Sequence, residues 1–198
     1  IVAAVREGRD IFDDIRKFLR YLLSSNMGEV LTVFLGVVLA DAIGLRGADQ
    51  GLVLPLLATQ ILWINLITDS GPALAMGIDP EADDVMARPP RRASERAIDA
   101  RMWVGVLSTG LVMALVTLLT IDLYLPGGWL PGSESLTTAR TAGFTVLVLA
   151  QLFNCFNARS ETGSALRGLF RNQWLWAAVG LSLLLQVAVV HVGVLNIA

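Results

Sequence analysis

The stretch Ile61–Pro72, ILWINLITDSGP, decides how the chain is read. Up to Thr68 it has the composition of a membrane helix. Asp69 then interrupts the apolar run, Asn65 and Thr68 stand just before it, and a Gly71-Pro72 step follows. A carboxylate in hydrocarbon is costly, and proline removes a helical hydrogen bond. Both at one place in a spanning segment point to a site: non-helical backbone is tolerated at depth only where it is buried in protein or lines a cavity.

The surrounding sequence supports the membrane reading. Of 198 residues, 55% are hydrophobic and only 16% charged, against roughly 25% charged in soluble domains. A spanning helix needs roughly 20 mostly apolar residues. Spans are expected at about 18–40, 52–78, 102–125, 141–157 and 174–195, the fourth being the shortest. The expected fold is therefore all-α, a polytopic membrane bundle of about five transmembrane helices whose second is unwound near Asp69–Pro72. Apolar residues at helical spacing (Ile11, Ile15, Phe18, Leu22) predict that residues 1–17 form a helical extension of the first span, ahead of a transmembrane domain over 18–198.

Basic residues set the orientation. Arg6, Arg9, Arg16, Lys17 and Arg20 precede or open the first span. Arg88, Arg91, Arg92, Arg96 and Arg101 lie between the second and third, and Arg159, Arg167 and Arg171 between the fourth and fifth. The other two connections hold only Arg46 and Arg140. This alternation predicts that the leading segment and the loop 79–101 are cytoplasmic. It also supports the fourth span, whose removal would put the last basic cluster on the wrong side. The loop 79–101 reads either as a solvated connection or as a docking surface for a cytoplasmic domain. The single cysteine, Cys155, excludes a disulfide framework and a cysteine-based metal site; it reads as a packing residue. The chain opens on Ile1 without a signal-peptide pattern and is expected to be part of something longer.

Within the spans the polar residues fall into stripes. Asn26 and Glu29 are three apart on the first, and Asn65, Thr68 and Asp69 share a face of the second. Gln151 and Asn154 are three apart on the fourth, with Asn157 a turn further on. All are oxygen donors, which suit Ca²⁺, Na⁺ or K⁺ rather than zinc or copper. Two carboxylates match the charge of one divalent ion. For Gln151, Asn154 and Asn157, helix packing through hydrogen bonds is an equal reading. For Glu29 and Asp69 ion contact is the stronger one, because buried carboxylates mark ion pathways. Asp122 and His191, near outer span ends, read as interfacial.

The segments EGRDIFDDIRKFLRYLLSSNMGEV, QILWINLITDSGPALAMGIDPEADDVMARPPR and TVLVLAQLFNCFN resemble the C-terminal membrane region of P-type cation-transporting ATPases, calcium-pump subclass. The likeness covers nearly the whole chain. It implies that the five spans match the family's fifth to ninth membrane helices. It implies that Asn26, Glu29, Asn65, Thr68 and Asp69 stand at ion-ligand positions, with Gln151 a weaker member. Where Gln151 stands, the two-ion pump of the reticulum has glutamate, and the one-ion pumps of the plasma-membrane type have glutamine. The resemblance therefore favours one Ca²⁺ per cycle, exported in exchange for protons.

It further implies a stalk at the N-terminal helix and lipid, not nucleic acid, as surroundings. The partners it implies are a fourth membrane helix and actuator, phosphorylation and nucleotide domains, through which ATP and Mg²⁺ act. The phosphorylation motif DKTGT, the TGES and GDGxND motifs and the fourth-helix PEGL motif do not occur here. These 198 residues by themselves are expected not to hydrolyse ATP. Two rival readings are the same architecture carrying Na⁺, K⁺, Mg²⁺ or Mn²⁺, and a stand-alone membrane scaffold or regulator.

Overall fold

The computed structural model describes residues 1–45, 53–80, 86–87, 97–130, 132–159 and 170–192. Among these residues every regular element is helical. The order is α1 (Val2–Val38), α2 (Ala58–Trp63), a π-helical segment (Ile64–Thr68), α3 (Ser70–Met76), α4 (Ala100–Tyr124), α5 (Leu136–Ala158) and α6 (Gln173–His191). Four of these, α1, α4, α5 and α6, are each long and apolar enough to cross a membrane. The fifth crossing is the composite of α2, the π-helical segment and α3. Most of the loop 79–101, including Arg88, Arg91, Arg92 and Arg96, lies outside the described residues, as do Arg46 and Arg167.

Helix α1 runs unbroken for 37 residues, roughly 55 Å at 1.5 Å per residue. That exceeds a hydrocarbon core of about 30 Å, and most of its charged residues lie in its N-terminal half. The fourth expected span proves longer than its apolar core. Ser135 caps α5 by accepting from the Thr138 amide at 3.2 Å. Thr141 and Thr145 turn their hydroxyls onto carbonyls one turn back, at 2.9 and 2.8 Å. These hydroxyls are satisfied locally, so the polar start Thr137–Thr141 stays helical.

Contacts between helix ends establish an up-and-down course. At the basic end, Arg16 meets Asp99, and Lys17 and Arg159 both meet Asp79. At the other end Arg140 donates to the Leu54 carbonyl at 2.9 Å. There Asp122 accepts from the amides of Trp129 and Leu130 at 2.9 and 3.1 Å. Asp122 stands in the last turn of α4 and is fully buried: the turn after α4 folds back and its free amides bond the carboxylate.

The interior carries Tyr21, Ile64, Met76, Met113, Leu147 and Leu175, with a second cluster around Ile43, Leu118 and Ile121. Outward residues are as apolar as inward ones: Phe34 on α1 is 60% exposed and Leu184 on α6 is 70% exposed. Such a surface suits lipid, where apolar side chains gain nothing by turning in and close packing has to hold the helices. Small residues allow that packing between α1 and α4. A Cβ added at Gly110 would lie 2.8 Å from Met27 Cγ and 3.1 Å from the Gly28 amide. Gly110→Leu is expected to force the two helices apart at a cost of about 1–3 kcal/mol, read as a lowered thermal unfolding midpoint in detergent. A midpoint equal to wild type would mean that the crossing is looser than described.

Candidate functional site

The composite crossing departs from a plain helix ahead of Asp69, not after it. The Asp69 amide bonds to Ile64 O at 2.9 Å, five residues back, which defines the wider π turn; such turns cluster at functional sites. The Gly71-Pro72 step, expected to break the helix, lies inside the first turn of α3, where a missing amide is tolerated. The carbonyl that Pro72 leaves without its usual helical donor is that of Thr68. Ser182 of α6 donates to it instead at 3.2 Å. The extra residue in the π turn and the proline together set Asp69 at a junction facing the bundle interior.

Two carboxylates meet in this interior. Glu29 on α1 is 4% exposed and Asp69 is 1% exposed. Glu29 accepts from Asn65 Nδ2 at 2.6 Å and from Gln151 Nε2 at 3.0 Å. Asp69 accepts from the Tyr21 hydroxyl at 2.7 Å, and it lies within electrostatic reach of Glu29. Residues from α1, the composite crossing and α5 thus surround one acidic pair. Among the described residues, Asp69 Oδ2 and Gln151 Oε1 are buried without a hydrogen-bond partner. Buried polar atoms are nearly always paired, so an unpaired oxygen on Asp69 and another on the amide that bonds Glu29 mark this interior as a candidate site. No trio of His, Cys, Asp or Glu gathers among the described residues; the acidic members are two, and the remaining donors are amides and a hydroxyl.

The other residues singled out in the sequence fall differently. Asn26 is exposed and donates to Leu22 O of its own helix, so within this chain it stands apart from the pair. Thr68 is buried, but its hydroxyl bonds back to Ile64 O at 2.9 Å. Asn154 donates to Ser24 at 2.7 Å and ties α5 to α1. Cys155 is buried and free, and His191 is exposed against Val187 O.

Sequence reasoning passed over Tyr21. A buried tyrosine hydroxyl usually finds a partner, and Tyr21 stands eight residues before Glu29 on the same side of α1. Those two facts were the available signal.

A second cluster lies at the basic end and holds the frame. Asp79, just beyond α3, is buried and accepts from Lys17 Nζ at 2.9 Å and Asn172 Nδ2 at 2.9 Å. Arg159 Nη2 approaches it at 3.0 Å. Lys17 also donates to Asp14 at 2.8 Å. Asn172 caps α6 through the Leu175 amide at 2.9 Å while its own amide reaches Ala75 O at 2.8 Å. Burial alone would raise the Asp79 carboxyl; donation by Lys17 and Asn172 and the charges of Lys17 and Arg159 outweigh it and hold the group below its ordinary 3.8. For Lys17, burial works downward, and the bonds to Asp14 and Asp79 win, lifting it above its ordinary 10.5.

The sign follows for each group. The depressed Asp79 stabilises the fold above about pH 4, and that contribution is lost as pH falls through its folded value. The raised Lys17 contributes below about pH 10.5 and is lost on passing its folded value upward. Asp79→Asn removes the buried carboxylate that Lys17 and Arg159 share and is expected to cost about 3 kcal/mol at neutral pH, with a shallower loss of stability under acid. Denaturation midpoints measured from pH 3 to 7 on both proteins check this; parallel curves would remove Asp79 from the account.

Comparison with known proteins gives one consistent picture. The family described as Cation transporting ATPase, C-terminus, matches residues 53–197. The calcium-transporting ATPase of Bacillus subtilis is 40% identical over 191 residues, covering 96% of this chain and 20% of that protein. The probable cation-transporting ATPase F of Mycobacterium tuberculosis is 35% identical over 198 residues, covering 99% of this chain and 20% of that one. The endoplasmic reticulum-type calcium-transporting ATPase 4 of Arabidopsis thaliana is 31% identical over 243 residues, covering 97% and 22%. The chain spans about a fifth of the length of the curated relatives it matches.

Proposed function

The chain belongs to the cation-transporting ATPase family, as its C-terminal membrane region, and from that premise we propose that Glu29 and Asp69 form the acidic half of a Ca²⁺-carrying site in an ATP-driven pump. The observation that carries this is the buried acidic pair on two helices, with Asp69 Oδ2 unpaired beside a π turn. Oxygen donors and a double negative charge suit a hard divalent ion. The names of the Bacillus and Arabidopsis relatives support calcium as the cargo.

In this reading Asn65 and Gln151, whose amide nitrogens donate to Glu29, offer their carbonyl oxygens to the ion. Thr68 contributes through its backbone, and Asn26 lines the approach. Asn26 and Asn65 are polar and exposed at membrane depth, a costly arrangement in lipid. This supports a further membrane helix from the rest of the polypeptide lying over that face and completing the ligand shell. ATP and Mg²⁺ act through domains in that same remainder, and residues 1–17 and the 79–101 loop receive their motion. When the ion leaves, protons discharge the two carboxylates, which makes the exchange a counter-transport. The basic end faces the cytoplasm, and the membrane is the cell membrane.

Asp69→Asn in the full-length pump is expected to abolish Ca²⁺-dependent phosphorylation from ATP; phosphoenzyme formed with unchanged calcium dependence would refute the ligand assignment. Gln151→Glu replaces an amide donor 3.0 Å from Glu29 with a like charge that needs its own counter-ion. It is expected to raise bound calcium from one to two per phosphoenzyme, counted with radiolabelled ion. A count that stays at one would leave Gln151 as a packing residue.

A further inference from the structure

A cavity of about 400 Å³ opens between α1, α4 and α5 at the basic end of the bundle. That is within the range of small-molecule sites. Its polar lining is Arg20, Ser24, Arg101, Thr109, Asn154 and Asn157. The deep wall is closed by the Asn154–Ser24 hydrogen bond. Arg20 is positioned there by donating to Ala158 O at 3.1 Å. Arg101 is exposed at the first turn of α4, whose positive dipole end faces the same space. The carboxylate nearby is Asp99, which Arg16 engages at 3.1 Å and whose acidity burial affects little, the Met102 amide and Arg16 holding its carboxyl below the usual range. Among the described lining residues the charged side chains are Arg20 and Arg101, both basic.

The side of the cavity runs out onto apolar surface. Val104, which lines it, is 68% exposed, and Leu107, one turn further along α4, is 48% exposed. An exposed aliphatic wall next to two arginines suits a boundary between headgroups and acyl chains. Basic pockets between membrane helices recognise anionic headgroups.

We propose that this cavity binds the phosphate of an anionic phospholipid. Arg101 and Arg20 meet the charge, the Asn157 amide donates to it, and the acyl chains lie along Val104 and Leu107. The shared chemistry is a phosphate monoanion, and the lipid rather than a soluble phosphate is its source because the cavity drains onto the lipid-facing side of α4. The proposal is independent of which cation the acidic pair carries.

The test uses the full-length protein that contains this segment, in nanodiscs of phosphatidylcholine with or without phosphatidylglycerol. Retained lipid is read by mass spectrometry and stability by thermal unfolding. Wild type is expected to retain phosphatidylglycerol selectively and to unfold at higher temperature with it. Arg101→Gln is expected to weaken that selectivity roughly fivefold, the worth of one basic residue near an anionic surface. Gly105→Leu is the second variant: a Cβ there meets nothing within 4 Å, so it fills the cavity without disturbing the fold and is expected to remove the bound lipid. Selectivity unchanged in both variants overturns the proposal, including the case where another part of the polypeptide lies over the cavity. Equal protection by inorganic phosphate in phosphatidylcholine alone overturns it too, because the site would then serve a soluble anion.

Discussion

A carboxylate in mid-membrane costs about 2.5–3.5 kcal/mol on insertion scales, and this bundle buries two of them within electrostatic reach of each other. Much of its packing follows from where their partners have to come from. Tyr21 reaches Asp69 from α1, while Asn65 and Gln151 reach Glu29 from the composite crossing and from α5. Each of these bonds joins two different crossings. The polar interior therefore holds the helices in register, which the apolar surface facing lipid does not do by itself.

The π turn and Pro72 belong to the same economy of backbone groups. Widening the helix over Ile64–Thr68 swings Asp69 into the interior, and proline then leaves the Thr68 carbonyl without an amide. Ser182 supplies the missing donor from α6. An irregular backbone persists at depth because a neighbouring helix satisfies what the irregularity exposes. The position that carries the acid is thereby tied to α6 through the neighbouring Thr68 carbonyl as well as to α1 through Tyr21.

The ionic cluster at the basic end completes this frame. Lys17 is on the same helix as Tyr21 and Glu29, and Asp79 follows the helix that begins beside Asp69. The composite crossing thus meets α1 near the buried pair, at Tyr21–Asp69 and Asn65–Glu29, and again where the chain leaves the bundle, at Lys17–Asp79. Arg159 and Asn172 bring the ends of α5 and α6 to the same carboxylate. A short chain of charged and hydrogen-bonded contacts thus joins the N-terminal turns of α1 to the acidic pair.

Local composition determined the membrane character, the helical class, the alternation of ends and the candidates Glu29 and Asp69, because apolar length and charge spacing are properties of contiguous residues. It also marked the second crossing as irregular, from Asp69 and Pro72 alone. Where the irregularity falls was settled only by packing: a proline break and a π turn compete locally, and Ser182, more than a hundred residues away, supplies the donor that the Thr68 carbonyl lacks. Tyr21, Asp79 and Asn172 were illegible for the same reason, since each acts through a partner on another helix. Asn26 shares Glu29's stripe in the sequence yet stands outside in the fold, because a face three residues wide is broad enough for one side chain to meet the interior and the next to miss it.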